Sequence, residues 1–535
     1  MANPDRLTAL DATFLHLERA NGVNMHVASC MIFEGDIPPY TEFLESIESR
    51  LHLVPRYRQR LAWVPYGQGR PVWVDDPHFN ARFHVRHTAL PRPGSEQQLK
   101  NLAGRVFSQQ LDREKPLWEI WLVDKLEGDR FALLAKTHHA LVDGISGVDI
   151  TTVLFDTSPD AAPPPPPERP WVARPPPSGA QLLGEALLER ATMPAEIARG
   201  VRAVLRGPGR VLSRVAQDVS AVGALASGGL SPAPHTPLNV SISPHRRFDW
   251  VDAELDRFKA IKNVLGGTIN DVVLSAVSLA LGRWLRDRAF PTTDLTLKAM
   301  VPVSVRADVE RGALGNKVAA MWASLPVWSQ DPVETFALVH AEMGELKESG
   351  QAVGATVLTG LSDFAPPTIM SQAARLQSRQ RFINLVVTNV PGPQYPLYLS
   401  GRRMLATEPM VPLAENLALG IAIMSYDGML HFGLNGDYDA LADIAYLAAD
   451  LRAAIATLSD AAGLPPEDAR PPRPRAEPAE PAPPDPAEAE AAAADAVEVA
   501  VESDPEAPPM AFSMPRSRPG TRSPRRDAGR TRRSP

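Results

Sequence analysis

The sequence predicts an α/β (α+β) protein with two lobes of similar size, each a mixed sheet with helices. Apolar residues make up 44% of the 535 residues, which is enough for sizeable cores. Helix-like and strand-like segments alternate in two blocks, residues 1–156 and 238–463. A Pro-rich and helical crossover, residues 157–237, separates these blocks, and a second Pro-rich stretch, residues 464–535, follows them.

The periodicity of apolar residues predicts the elements of both blocks. In the first block the helical segments are residues 41–51 and 96–111, and the strand-like segments are residues 25–33, 118–123 and 131–137. In the second block the strand-like segments are residues 246–254, 295–303, 382–388, 418–425 and 429–435, and the helical segments are residues 269–286 and 442–458. A cavity between two such lobes is a usual place for a small-molecule site.

The crossover and the tail differ in composition from the two blocks. Prolines between residues 163 and 177 favour a stiff, extended linker, and residues 180–215 show helical spacing. The arginines at positions 199 to 214 fit either a solvated helix face or a contact with a membrane surface. The tail is rich in Pro, Ala and Glu and is predicted to be disordered. Its Arg-rich end fits either a contact with anionic lipid or nucleic acid, or a solvated segment without a partner.

Charge and cysteine content exclude several classes of protein. The net charge of −7 argues against nucleic-acid binding by the chain as a whole. A single cysteine, Cys30, excludes an intrachain disulfide and a C-x-x-C redox or zinc site. The first residues lack a signal-peptide core, and no run of 18 apolar residues occurs. We therefore expect a cytoplasmic protein and leave peripheral membrane contact open.

Residues 138–144 read His-His-Ala-Leu-Val-Asp-Gly and form the most informative motif. They follow a short apolar run, and Asp143-Gly144 supplies turn chemistry. Successive strand residues point to opposite faces, so one histidine can enter a cavity while the other packs behind it. This arrangement suits a general base. The alternative is a pair of core histidines beside a turn.

The H-H-x-x-x-D-G motif resembles the superfamily of CoA- and carrier-dependent acyltransferases. Further motifs resemble, in the expected order, those of the bacterial wax ester synthase/diacylglycerol acyltransferase family. They are residues 10–15, 25–27, 111–113, 116–119, 270–271, 301–306, 315–316, 389–393 and 425–428. The resemblance covers about residues 5–460 and does not include the tail.

The resemblance implies two acyltransferase-type lobes with a tunnel between them that admits an acyl-CoA from one side and an alcohol from the other. It implies transfer of a fatty acyl group from acyl-CoA to diacylglycerol, giving triacylglycerol, and to long-chain alcohols, giving wax esters. Acyl-CoA is a co-substrate, and neither a cofactor nor a metal is expected. Association with the inner membrane or with lipid droplets is also implied.

The resemblance also assigns roles within the motif. His139 is the general base, and His138 supports it from the opposite face. Asp143 is either a structural residue paired with an arginine or a residue that orients the histidine. Gly144 permits the tight turn.

For the remaining candidate residues, the sequence leaves open whether the role is catalytic or structural. Asn270 is the first candidate donor to the oxyanion, and a helical Asn that caps or packs is its alternative. Asp271 is expected to fix the local geometry, and Ser304 is a weaker donor candidate. Pro116, Leu117 and Trp118 either shape a substrate channel or belong to the core. Asn389 and Gly392 are expected to shape the tunnel mouth or a lobe contact.

Two other functions compete with a lipid O-acyltransferase. A condensation-type enzyme would take its acyl group from a carrier-bound thioester, but no carrier or adenylation domain adjoins these motifs. A non-catalytic lipid-binding protein would not need the intact His138, His139, Asp143, Gly144 and Asn270.

Overall fold

The computed structural model describes residues 5–18, 23–142, 153–189, 232–304, 318–348 and 382–466. Several predictions lie outside the described residues. They concern Asp143, Gly144, residues 190–215 of the helical crossover, the motif segments 305–306 and 315–316, and the tail from residue 467.

The described strands and helices alternate along the chain. The strands are β1 (His26–Glu34), β2 (Gln59–Ala62), β3 (Val72–Asp75), β4 (Val85–Ala89), β5 (Trp118–Leu126), β6 (Arg130–His138), β7 (Arg246–Glu254), β8 (Thr296–Ser304), β9 (Val318–Pro326), β10 (Leu385–Pro391), β11 (Tyr398–Leu399), β12 (Arg402–Met410), β13 (Leu419–Tyr426) and β14 (Met429–Asp437). The helices are α1 (Ala9–Leu17), α2 (Tyr40–Arg50), α3 (Ala81–His84), α4 (Glu96–Ser108), α5 (His139–Val142), α6 (Leu255–Leu265), α7 (Ile269–Asp287), α8 (Pro332–Glu348) and α9 (Ile444–Ala461). Residues 179–189 of the crossover are also helical.

Two mixed six-stranded sheets organise the fold. The first has the order β11-β12-β1-β6-β5-β4, and the second has the order β7-β14-β13-β10-β8-β9. Strands β4 and β5 pair in parallel in the first sheet, as β10 does with β8 and β13 in the second, while the other pairs are antiparallel. The prediction of two lobes with mixed sheets and helices is confirmed.

One hairpin crosses between the two halves of the sequence. Strands β11 and β12 come from the second block but belong to the first sheet, where β12 pairs with β1 in antiparallel register from Ala28↔Met410 to Phe33↔Met404. Nothing in the linear order of the segments indicated this exchange. It brings β12 of the first sheet against the strands β13 and β14 of the second sheet.

The sheets are held in place by buried helices. Helix α7 packs against the second sheet as part of its hydrophobic core. Residues 271–282 are all buried, because apolar residues occur on every side of this helix. Helix α4 packs against β7, and a Cβ at Gly104 would come within 2.9 Å of the carbonyl oxygen of Arg246. Nearby, Lys100 Nζ lies 2.8 Å from Asp249 Oδ1, which ties the two halves together by a buried ion pair.

Element boundaries agree with the periodicity within a few residues. The predicted helix over residues 96–111 ends at Ser108, and the predicted strand over residues 382–388 spans Leu385–Pro391. Within the described residues, no single helix has the length and apolar character to cross a membrane. Helices α6 and α7 meet that test only when counted together across a bend of 96°.

Candidate active site

The two motif histidines lie where strand β6 passes into helix α5. The backbone N–H of His138 donates to the carbonyl of Leu117 at 2.9 Å, and the N–H of His139 donates to the carbonyl of Met25 at 2.9 Å. Two other motif segments therefore hold the main chain of this pair. The side chains differ in burial, since His138 is 1% exposed and His139 is half-buried.

The hydrogen bonds of His138 determine which of its nitrogens carries the proton. Nδ1 accepts the backbone N–H of Ala140 at 3.0 Å, so the neutral ring carries its proton on Nε2. Nε2 faces Oε1 of Glu18 at 3.3 Å. Both nitrogens of His138 are therefore directed at protein groups, and this ring supports the turn that follows His139.

Glu18, at the end of α1, is the centre of a buried polar cluster. One carboxylate oxygen accepts a hydrogen bond from the N–H of Met25 at 2.7 Å, and the other accepts one from Nη2 of Arg113 at 2.6 Å. His26 Nε2 lies 3.4 Å from the same oxygen that faces His138. Burial alone would raise the pKa of Glu18, but the two histidines outweigh it and hold that pKa well below its ordinary value. Glu18 is therefore ionised beneath the histidine pair.

His26 supplies a second neutral ring to this cluster. It pairs directly with His138 across β1 and β6, and the ring centroids lie 6.2 Å apart. Burial lowers the pKa of His26 to about 4, although Glu18 opposes that shift. A neutral His26 adds no positive charge beside Glu18.

The ring of His139 packs against a residue of the first helix. Phe14 lies with its ring centroid 4.2 Å from that of His139 at an interplanar angle of 33°. The main-chain contact with Met25 fixes the backbone of His139, and Phe14 packs against its ring, while the residue stays partly exposed. A fixed, accessible imidazole can act as a general base toward a hydroxyl group.

Asn270 and Asp271 occupy the first turn of α7 in the second lobe. Asp271 is buried, and its Oδ2 accepts the N–H of Thr268 at 2.8 Å and faces Nδ1 of His340 at 2.9 Å. Together with Thr268 it forms a capping box. Asn270 is half-buried at the second helical position. Ser304 is the last residue of β8, opposite Val318, and its side chain lies outside what the structure describes.

The P-L-W element lies in the core of the first lobe. Pro116 is buried, and Leu117 and Trp118 are at most 1% exposed. The indole N–H of Trp118 donates to the carbonyl of Tyr57 at 2.8 Å, and the ring stacks on His84 at 4.5 Å. These contacts correspond to the core interpretation of this element, and they anchor the backbone that holds His138.

The segments 389–393 and 425–428 contact one another. The N–H of Gly392 donates to Ser425 Oγ at 3.2 Å, and a Cβ at Gly392 would lie 2.3 Å from the carbonyl oxygen of Ser425. Tyr426 Oη accepts the N–H of Leu397 at 2.8 Å and donates to the carbonyl of Met404 at 3.1 Å. These contacts connect the second sheet to the crossing hairpin. Asn389 is half-buried on β10, in register with Ile423.

The sequence reasoning missed three members of the polar cluster. His26 and Arg113 stand inside quoted motifs but received no role, and Glu18 was not singled out. The available signal was that this histidine and this arginine stand inside the motif segments 25–27 and 111–113. A glutamate at the end of a helix carries no such signal, because glutamates at that place are usually solvated.

Two family models match most of the chain. The model described as the wax ester synthase/diacylglycerol acyltransferase catalytic domain matches residues 7–273, and the WS/DGAT C-terminal domain matches residues 314–459. A Mycobacterium tuberculosis protein named a probable diacylglycerol O-acyltransferase is 33% identical over 457 residues, covering 85% of this chain and 96% of that protein.

Solved structures agree with the family models. The wax ester synthase/diacylglycerol acyltransferase from Marinobacter aquaeolei is 27% identical, with a TM-score of 0.60 over 86% of this chain and 100% of that chain. A starter condensation domain of rhizomide synthetase, 14% identical, has a TM-score of 0.51 over 86% of this chain and 94% of its own and shares the fold.

The two-lobed fold and the fixed histidine pair at a strand end define an acyltransferase enzyme. The H-H-x-x-x-D-G motif places it in the superfamily that the sequence resembled. The chain belongs to the wax ester synthase/diacylglycerol acyltransferase family.

Proposed function

We propose that the protein transfers a fatty acyl group from acyl-CoA to diacylglycerol, with long-chain alcohols as further acceptors. The observation that carries this proposal is the asymmetry of the histidine pair. His138 has both ring nitrogens directed at Ala140 and Glu18, whereas His139 stays partly exposed. The names of the relatives support diacylglycerol as the acceptor.

The reaction needs a base and a site for negative charge. His139 takes the proton of the acceptor hydroxyl while its oxygen attacks the thioester carbonyl, which forms a C–O bond and an oxyanion. The intermediate then breaks its C–S bond, and the proton passes from His139 to the leaving thiolate of CoA. The side-chain amide of Asn270 is proposed to donate to the oxyanion. No acyl-enzyme forms in this sequence of steps.

The test uses the purified full-length chain with acyl-CoA and diacylglycerol, followed by release of free CoA thiol and by product mass. His139→Ala is expected to lower kcat by about 100-fold to 10,000-fold, the usual contribution of a general base. The exposed His245 offers a matched control, and His245→Ala should leave turnover unchanged. Full turnover by His139→Ala would remove the assigned base.

The acyl donor and acceptor are tested by competition. Diacylglycerol and a long-chain alcohol are offered together with a series of acyl-CoA lengths, and products are identified by mass. In a parallel reaction an acyl-carrier thioester replaces acyl-CoA. Exclusive use of the carrier thioester would favour the condensation-type enzyme, and lipid binding without any turnover would favour the non-catalytic protein.

We also propose that the enzyme works in the cytoplasm at the surface of the inner membrane or of lipid droplets. Two large apolar side chains support this: Tyr66 is 87% exposed, and Leu187 is 50% exposed on the helix over residues 179–189. That helix packs on the strand β3 region through Leu182 and Ala186, so both exposed side chains belong to one part of the surface. Flotation with anionic vesicles tests it. The double variant Tyr66→Ser, Leu187→Ser should float less than the unaltered chain, and equal flotation would contradict this surface.

A further inference from the structure

A second cluster of ionisable residues lies between the two sheets, away from the histidine pair. His431 on β14 and Asp252 on β7 are directly opposite one another in the second sheet. Glu408 on the crossing strand β12 reaches the same point from the first sheet. Three strands therefore supply one side chain each, two from the second sheet and one from the first.

The three side chains offer one ligand atom each at close range. His431 Nδ1 lies 2.7 Å from Asp252 Oδ1 and 3.3 Å from Glu408 Oε1, and all three ligand atoms lie within 4.8 Å of one another. Tetrahedral zinc with bonds of about 2.0–2.2 Å spaces its ligand atoms by about 3.3 Å. The two distances from His431 Nδ1 lie within about 0.6 Å of this spacing.

The surroundings of Glu408 are the second observation. Its side chain is 0% exposed, and within the described residues neither carboxylate oxygen accepts a hydrogen bond. A buried carboxylate without hydrogen-bond donors is costly. The ring of His431 is equally buried, and its Nε2 also lacks a hydrogen-bond partner among the described residues. A cation bound among these three side chains would satisfy this carboxylate.

Charge balance specifies the class of cation. A bound metal ion would displace the ring proton of His431, and the neutral imidazole with two carboxylates would then carry two negative charges, which a divalent ion neutralises. Mg²⁺ and Ca²⁺ prefer all-oxygen sites, whereas zinc accepts imidazole and carboxylate together. The side chain of Asp252 is 38% exposed, so water can reach the fourth coordination position from this edge.

We propose that Asp252, Glu408 and His431 bind a zinc-class divalent cation that joins the crossing strand to the second sheet. The sequence indicated no metal, and the three residues are too widely separated in the chain to form a spacing motif. The role is structural, because the ion would bridge β12 to β7 and β14. It is independent of the acyl-transfer chemistry proposed for His139.

The test measures zinc retention and thermal stability of the full-length chain. The protein is treated with a chelator, loaded with Zn²⁺, passed through a desalting column and analysed for metal content. We expect about one retained equivalent and a higher Tm with Zn²⁺ than with Mg²⁺ or Ca²⁺. Glu408→Gln should bind Zn²⁺ at least about 10-fold more weakly and lose the Tm increase.

Two further variants make the outcome decisive. Asp252→Asn alters the partly exposed ligand and tests the site by the same measurements if Glu408→Gln does not fold. His245→Asn removes an exposed histidine outside the cluster and should retain zinc as the unaltered chain does. Equal zinc retention and equal Tm increase in Asp252→Asn and the unaltered chain would overturn the proposal, as would the absence of zinc binding by the unaltered chain.

Discussion

Oε1 of Glu18 lies 3.3 Å from Nε2 of His138, below the turn that carries His139. On the other side of the same ring, Nδ1 accepts the N–H of Ala140. Glu18 thus contacts the ring whose other nitrogen holds the turn after His139, and we infer that it is a positioning residue for the proposed base. Its four partners are Met25 just before β1, His26 on β1, His138 on β6 and Arg113 in the segment before β5, so these elements meet at one carboxylate.

Glu18→Gln should lower kcat about 10-fold to 100-fold, less than loss of the base itself, while KM for acyl-CoA changes little. The amide keeps the acceptor for Met25 but loses the charge that pairs with Arg113 and faces two histidines. Glu18→Asp should recover part of the rate. Glu114→Gln, an exposed acid nearby, is the control and should have no effect. A fall in kcat accompanied by a change in KM of similar size would argue against a positioning role for Glu18.

Variants of the neighbouring residues Asn270 and Asp271 should differ in effect: the first should lower kcat, and the second should lower stability. Asn270→Ala is expected to lower kcat by about 100-fold to 1,000-fold with little change in Tm, as for loss of one oxyanion donor. Asp271→Ala removes the capping box of α7 and should lower the free energy of unfolding by about 1–2 kcal/mol. Steady-state kinetics and urea unfolding of both variants check this. Full kcat in Asn270→Ala would mean that Asn270 is not the oxyanion donor and has only a structural role.

Acid should destabilise the protein through two buried histidines. Burial lowers the pKa of His26 and of His84 to about 4, whereas an unfolded histidine titrates near 6.5. Between these pH values the unfolded chain binds more protons, so the free energy of unfolding falls as pH drops from about 6.5 to about 4, by about 3 kcal/mol per histidine. Above pH 6.5 this contribution is constant.

Urea unfolding at pH 7.5 and pH 5 measures this loss. His84→Gln, which lies apart from the motif histidines, should show a smaller loss of stability on acidification than the unaltered chain. An identical loss in both proteins would show that His84 is not a source of the acid sensitivity.

Gly392→Ala should destabilise the contact between the two turn motifs. The added Cβ would lie 2.3 Å from the carbonyl oxygen of Ser425, so the backbone must move, at a cost of about 1–3 kcal/mol. Gly344→Ala in α8 is a matched control, because its Cβ meets nothing within 4 Å and alanine favours a helix by about 1 kcal/mol. The Tm should fall in the first variant and hold or rise in the second. Equal Tm values would contradict the close approach at Gly392.

Trp118 should behave as a core residue. Trp118→Ala is expected to lower the free energy of unfolding by about 3–5 kcal/mol, because it empties a fully buried site between Tyr57 and His84. Trp118→Phe should lose about 1 kcal/mol with the indole hydrogen bond and keep the preference between alcohol and diacylglycerol. A changed acceptor preference in the Phe variant would instead place this side chain in a substrate channel.

Much of the fold and part of the site could be predicted from the sequence. Strands such as β13 and β14 show their apolar character locally, and the pair His138-His139 is adjacent in the chain. The crossing strand β12 could not be predicted, because its local pattern does not tell which sheet it joins. Glu18, Arg113 and Glu408 were missed for the same reason: their role depends on partners brought close by the fold.

The pairing of β1 with β12 also affects folding during synthesis, because the two strands are far apart in the sequence. Until residue 410 has left the ribosome, β1 presents an unpaired flank, and about 20–75 s of translation separates the two strands at usual elongation rates. An exposed strand flank invites pairing with other chains during that interval. Heterologous expression of this enzyme should therefore benefit from chaperones that shield nascent strands, and fragments that stop short of residue 410 should aggregate.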